Sequence, residues 1–311
     1  MTEEPRQSTP TPTDAAMGTL EIAVCQLGSE VGDEEYDPRP ANLERAIAAI
    51  DEAAAAGAQL VVFGEAFLNG FQTGQWTARY AVSESEEDPF VAALLAAARR
   101  RDVHVIMGAT TRAGTFPGDV YNSALLLGPP GLIGTYRKAH IGARINAEGI
   151  VMEKVWWSPG AELPVFATAL GRIGIEICYD VSFPEVARTL TLRGAELIVN
   201  VSAASRGREE IWTHSLFTRA TENAVWVLHA SVVGNQPGAE FFGGSRLFSP
   251  DGRVVAEAPR GEEALLRATA DVQTLLEVRG RTHPFHNRRP LLYAPIVDPA
   301  GACAPPIFPA P

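Results

Sequence analysis

Gly174-Ile175-Glu176-Ile177-Cys178-Tyr179-Asp180-Val181-Ser182-Phe183-Pro184-Glu185 decides how the rest of the 311-residue chain is read. Residues 173–177 are mostly apolar and β-branched, which predicts a buried strand. Pro184 has the fixed φ of a first helical turn, and Gly194 stands ten residues on, so a helix over 184–193 is expected. A strand that turns into a helix at a cysteine is an elbow that exposes one side chain beside free backbone N–H groups. The same alternation recurs on both sides. A strand is predicted over 20–26. A helix follows over 41–56, with Leu43, Ala46, Ile47, Ile50 and Ala54 on one face and Gly57 as its stop. A short buried strand covers 60–63, a second amphipathic helix 90–100, and a strand 103–107. A hairpin over 122–127 and 131–136 closes at Gly128-Pro129-Pro130-Gly131. Further strands are expected at 196–201, at 226–233 and on either side of Ser249-Pro250-Asp251-Gly252. Helices between buried strands imply an α/β layered domain, and the hairpins imply a mixed sheet.

Length and composition agree with one domain over 19–297. Residues 1–18 are rich in Thr, Pro and acidic residues and are expected to be a disordered tail. Residues 298–311 form a second, Pro- and Ala-rich tail. The chain is 46% apolar and carries a formal charge of −11, which argues against nucleic acid or anionic lipid as a partner. Residues 1–20 carry neither a basic start nor an apolar core, so a cytoplasmic location is the expectation. Three well-separated cysteines give neither a disulfide framework nor a zinc site. No metal and no cofactor is expected.

Chemistry in α/β domains concentrates where strands end. Three such ends carry a coherent set. Glu65 follows Leu60-Val61-Val62-Phe63-Gly64, where poor solvation suits a general base. Lys138 ends Gly134-Thr135-Tyr136-Arg137-Lys138 and supplies a fixed ammonium for an oxyanion or thiolate. Cys178 supplies the thiol, which at an ordinary pKa of about 8.5 needs a base and a cation beside it to react well. Nucleophile, base and electrophilic stabiliser are the minimum for acyl transfer. Each residue also has an ordinary structural reading as a solvated Glu, a surface Lys or a buried Cys. Cys25, inside the first strand, is expected to be buried and inert.

With these segments in this order, the chain resembles the nitrilase superfamily of carbon–nitrogen hydrolases, over about residues 20–293. Val62-Phe63-Gly64-Glu65 through Gly70-Phe71 resembles the family's glutamate segment, with Gly64 where Pro is usual and a looser backbone expected there. Tyr136-Arg137-Lys138-Ala139-His140-Ile141 resembles its lysine segment, and the Cys178 segment is the most specific match. Arg219-Ala220-Thr221-Glu222-Asn223 and Arg288-Arg289-Pro290-Leu291-Leu292-Tyr293 are supporting matches. Glu153-Lys154-Val155-Trp156-Trp157-Ser158-Pro159-Gly160 resembles the segment of a second glutamate, so Glu153 takes that role, with Glu148 a weaker competitor.

The resemblance implies a four-layer α-β-β-α sandwich and a Glu65–Lys138–Cys178 triad supported by Glu153. It further implies an oxyanion donor in the Tyr179 backbone N–H. It also implies a homodimer, or higher homo-oligomer, paired through the helices at 184–193 and 209–223. Cysteine-dependent hydrolysis of a small carboxamide through a thioester is the expected activity, because Cys178-Tyr179-Asp180 is more like the amidase and carbamoylase branches than the nitrilase one. An N-carbamoyl amine is the alternative substrate, a nitrile a weaker one, and an idle scaffold on this fold a different class of reading. Trp156, Ser202, Ala203 and Phe241 are expected at the substrate pocket, although Trp156, Phe241 and Phe242 suit core packing equally. Val181 and Ser182 stand where related carbamoylases place carboxylate-binding arginines. Arg144, Arg206 and Arg208 offer a clamp from loops, but are taken as surface residues.

Overall fold

The computed structural model of the chain describes residues 18–71, 73–113, 119–146 and 149–297. The expected tails at 1–18 and 298–311 therefore lie outside it, apart from Gly18. Strand Thr19–Gln26 pairs in parallel with Leu60–Phe63, which pairs in parallel with His104–Arg112. Helices α1 (Arg39–Ala55) and α2 (Pro89–Arg101) make the crossovers between these strands. The predicted hairpin forms between Val120–Gly128 and Gly131–Arg137 and extends the sheet antiparallel. Ala264–Asp271 closes the other side against Thr19–Gln26.

The second sheet has the same logic. Gly171–Ile177, Leu197–Ser202 and Trp226–Ser231 run parallel, with α3 (Pro184–Leu192) and α4 (Glu209–Asn223) as their crossovers. Val165–Thr168, Arg246–Phe248 and Val254–Glu257 flank them antiparallel.

Strand alternation then sets the layers, because successive side chains face opposite ways. Ala23, Cys25, Val61, Phe63, Val105 and Met107 pack with Ala46, Ile50, Ala53, Val91 and Leu94 of α1 and α2. Leu20, Ile22, Val24, Leu60, Val62 and Ile106 face the other way and pack with Ile173, Ile175, Ile177, Val199 and Val201 of the second sheet. Its far side is covered by Val186 and Leu190 of α3 and Leu216 and Ala220 of α4. The result is the expected α-β-β-α sandwich, with the C-terminal ends of both parallel runs at one edge.

The strand Val165–Thr168 was not anticipated, nor were two later elements. The edge strand Ala264–Asp271 and a fifth helix, α5 (Val272–Thr282), follow the last predicted strand. The strand is half-exposed and its pattern is weak, while α5 starts from an Asp271 cap whose carboxylate accepts from Thr274 N. Gly64 is also not a loose point. A Cβ there would lie 2.4 Å from the Val232 backbone nitrogen, so only glycine lets the strand end pass this close to the second sheet. Among the described residues no helix is long and apolar enough to cross a membrane.

Candidate active site

The three predicted residues meet at that common edge. Glu65 is fully buried just beyond Leu60–Phe63, and its backbone N–H donates to the Ser202 carbonyl of the second sheet at 3.2 Å. Its Oε1 accepts from Lys138 Nζ and from Asn122 Nδ2, both at 2.7 Å. Its Oε2 accepts from the Ala203 backbone N–H at 2.8 Å. The two carboxylate oxygens are thus held by three donors from three separate segments, which fixes the group in one orientation.

Lys138 is fully buried where the hairpin strand Gly131–Arg137 ends. Its backbone N–H donates to Asn122 O, and its carbonyl accepts from Gly160 N, both at 2.8 Å. Nζ bridges Glu65 and Glu153, the latter at 2.9 Å. Glu153 opens a short 3₁₀ turn, and its Oε2 also accepts from Gly142 N at 3.3 Å. Burial pushes the Lys138 ammonium down. The charges of Glu65 and Glu153 outweigh that and hold it well above the ordinary lysine value. Lys138 is a fixed cation.

Cys178 begins a 3₁₀ turn with φ +48°, a left-handed conformation that a non-glycine residue adopts at a cost of about 1–2 kcal/mol. This is the elbow expected from the strand-to-helix pattern. Burial pushes its thiol up, and the Glu65 and Glu153 carboxylates push the same way, against Lys138 and the Ala203 N–H. The resting group is a neutral thiol within the electrostatic reach of a base and a cation.

Asp180, two residues on, ties the elbow to the lysine strand. Its Oδ2 accepts from Tyr136 OH at 2.7 Å and from Ile177 N at 3.0 Å. Its Oδ1 accepts from His140 N at 2.9 Å and lies 2.8 Å from His140 Nδ1. The His140 ring stacks on Phe183 at 3.7 Å between centroids. Residues on both sides of Lys138 and on both sides of Cys178 are therefore gathered around one buried carboxylate.

Cys178, Glu153, Tyr179, Ala203, Gly142, Ser205, Arg208 and Trp212 line a cleft of about 160 Å³. That is well below the ~300–1,000 Å³ of sites for drug-sized ligands, so the substrate portion beside Cys178 is small. A model of the family described as carbon-nitrogen hydrolase matches residues 21–279. The chain belongs to the carbon–nitrogen hydrolase family. A nitrilase of Pyrococcus abyssi is 34% identical over 258 residues, 81% of this chain and 90% of that protein. An omega-amidase of Danio rerio is 31% identical over 283 residues, 89% of this chain and 98% of that protein. The crystal structure of Saccharomyces cerevisiae Nit3, of the nitrilase superfamily, aligns with a TM-score of 0.78 at 26% identity. It covers 90% of this chain and all of that one.

Against this hydrolase frame, the predicted pocket needs correction. Ala203, one of the four residues expected at the pocket, lines the cleft, and so does Tyr179, which was expected only as a backbone donor. Trp156 does not, being 38% exposed, while its neighbour Trp157 turns inward against Phe71. The sequence offered no way to choose between the two. Ser202 is fully buried under the cleft, donating to Asn200 Oδ1 at 2.6 Å. Phe241 packs edge-on against Phe71 in the core, and Phe242 joins the inter-sheet core. Arg206 is on the surface, paired with Glu240. Arg208, taken as a surface residue, lines the cleft. The Arg144 side chain and Glu148 lie outside the described residues. Sequence reading also passed over Asn122, the polar residue that opens the hairpin strand's apolar run, and Gly142, which holds Glu153.

Proposed function

We propose that this hydrolase cleaves a small carboxamide to the carboxylic acid and ammonia through a thioester on Cys178. The observation that carries this reading is the Lys138 ammonium bridging Glu65 and Glu153, with Glu153 lining the same small cleft as the Cys178 thiol. Because burial keeps the thiol neutral, it must lose its proton as it attacks. Glu65 takes that proton, and sulfur bonds to the carbonyl carbon. The oxyanion forms beside Lys138 Nζ and the Tyr179 backbone N–H, where each fixed donor is worth about 3 kcal/mol. Glu65 returns the proton to the leaving nitrogen, the carbon–nitrogen bond breaks, and ammonia departs. Water, deprotonated by Glu65, then adds to the thioester, and the acid leaves as sulfur recovers the proton. Glu153 holds Lys138 so that its charge is shared between two carboxylates rather than locked to the base.

Amides fit this scheme better than nitriles because ammonia leaves in the acylation step, where Glu65 stands ready as its proton donor. The omega-amidase relative points the same way. The test is mass spectrometry of the full-length chain quenched during turnover of a small amide. An adduct on Cys178 of acyl mass, with ammonia released, is expected. Ammonia release with no adduct on Cys178, or release retained by Cys178→Ala, would refute it.

Two copies are proposed to pair through α3 and α4, whose Leu192, Ile211 and Phe217 are large apolar residues facing solvent. Light scattering at micromolar concentration should give twice the chain mass. A monomer that becomes no larger on concentration would remove the pairing.

A further inference from the structure

Each carboxylate oxygen of Glu65 offers two lone pairs. Oε1 accepts from Lys138 Nζ and from Asn122 Nδ2, so both of its lone pairs are engaged. Oε2 accepts from the Ala203 N–H alone among the described residues, so one of its lone pairs is open. The same Ala203 N–H also favours the thiolate form of Cys178. The open lone pair of the base therefore belongs to the oxygen that shares a donor with the sulfur.

The three donors are not alike. Lys138 also faces the oxyanion, and Ala203 donates from the main chain just beyond Leu197–Ser202. Asn122 is a fully buried residue of the hairpin strand Val120–Gly128. Its main-chain carbonyl accepts from the Lys138 N–H at 2.8 Å. Its side-chain Nδ2 donates to Glu65 at 2.7 Å, while its Oδ1 is buried with no donor among the described residues. Leaving an amide oxygen buried and unpaired costs stability. Turning the amide over would set that oxygen against the carboxylate, so the observed orientation serves Glu65. The next residue on the strand gives the contrast. Ser123 is equally buried, but its Oγ pairs with Thr111 Oγ1 at 2.7 Å rather than with the site.

A proton can settle on Oε1 only by displacing one of its two donors. On Oε2 it can settle at the open lone pair while the Ala203 bond stays. We propose that Asn122 is a positioning residue: by filling Oε1 it leaves Oε2 as the oxygen that takes the proton of Cys178 and passes it to the leaving nitrogen. The S–H bond breaks as an O–H bond forms on Oε2, and the electron pair left on sulfur attacks the carbonyl carbon. The proton then moves from Oε2 to the amide nitrogen as the carbon–nitrogen bond breaks. This rests on the amidase reading above and deepens it, naming the working oxygen of Glu65 and the side chain that keeps the other one occupied.

The experiment follows ammonia release from butanamide by the full-length enzyme between pH 5 and pH 9, comparing wild type with Asn122→Leu, Asn122→Asp and Ser123→Ala. Asn122→Leu keeps a branched side chain and removes the donor. It is expected to lower kcat roughly 10- to 100-fold, as for loss of a hydrogen bond to a charged group, with KM within about threefold. The acid limb of its kcat/KM profile should move to higher pH, because a carboxylate with one donor fewer takes up a proton more readily. Asn122→Asp keeps the shape but sets a second carboxylate against Oε1. Its limb should move further the same way, and its kcat at pH 8 should fall below that of Asn122→Leu. A side chain that only packs the strand would leave the limb in place. Ser123→Ala should stay within about threefold of wild type throughout. Cooperative melts identify the folded variants, and the limb of either Asn122 variant decides the matter alone. An unmoved limb in a folded Asn122 variant overturns the proposal, as does Asn122→Asp with the activity of wild type. Wild type then still releases ammonia and carries an acyl adduct on Cys178, so the amidase reading stands. If wild type does neither, that reading falls and this falls with it.

Discussion

Cys25 and Cys178 are both free thiols, both buried, and both pushed above the ordinary thiol range chiefly by burial. Depth alone would make them equivalent. What separates them is the backbone and the company. Cys25 sits within the strand Thr19–Gln26, where the Glu52 carboxylate pushes its thiol further up. Cys178 sits one residue beyond a strand, at φ +48°, with Lys138 opposing the carboxylates and an open cleft in front of the sulfur. On the proposed mechanism, reactivity follows from where the chain leaves the sheet rather than from the thiol's burial.

The largest expected effect comes from breaking that difference directly. Cys178→Ala should lower kcat on the order of 10⁵-fold or more, as removal of a nucleophile does elsewhere. Cys25→Ala should change it by less than roughly threefold. Thermal melts of both variants should stay cooperative, so that the loss is chemical. Comparable losses in the two variants would dissolve the distinction. Glu65→Gln comes next. Losing the base should cost about 10²–10⁴-fold in kcat, with the fold retained because the amide oxygen still accepts from Lys138 and Asn122, although the bond from Ala203 N–H is lost.

Alkylation sharpens the same comparison without turnover. Cys178 should react with a small haloacetamide at a rate that keeps climbing through pH 9. Its thiol is held above the usual range, so the thiolate fraction stays below that of a free thiol and has not levelled off there. Cys25 should stay unlabelled until the protein unfolds. A rate for Cys178 that levels off near pH 8 would mean a thiol no harder to ionise than a free one, and so a stronger pull from Lys138 than the geometry implies.

Sequence carried the ends of strands well and the sides of turns poorly. Cys178, Lys138 and Glu65 were legible because each stands where a strand ends, and because the three together, rather than any one alone, supply what acyl transfer needs. Glu153 needed a family resemblance, since nothing in its own segment points to a lysine fifteen residues earlier. The layering was legible from helices alternating with buried runs. The edge strand Ala264–Asp271 was not, because a half-exposed edge shows neither clean alternation nor continuous burial. Arg208 was seen and set aside, because charge on a loop is ordinary. In the structure Arg206 pairs with Glu240 at the surface, whereas Arg208 lines the cleft. Asp180 was quoted as part of a motif, yet its tie to Tyr136 and His140 depends on contacts some forty residues apart.

Glu176 offers the smallest effect and completes the comparison, for it shows a buried acid on the Cys178 strand with no lysine beside it. Its Oε1 accepts from Asn200 at 3.0 Å, its Oε2 has no partner among the described residues, and burial, helped by Asp180, pushes its carboxyl up to about 8. The folded protein thus keeps a proton on Glu176 between about pH 4.5 and 8 that the unfolded chain has already lost. Stability from this group is whole below pH 4.5 and drains away as pH rises to 8. Glu176→Gln has no proton to lose there. Denaturant melts at pH 5, 6, 7 and 8 should therefore show wild type losing stability relative to Glu176→Gln at each step. Turnover at pH 6 should differ little between the two. Parallel stability curves would mean that Glu176 is ionised throughout, and that burial on this strand is less complete than the cysteine comparison requires.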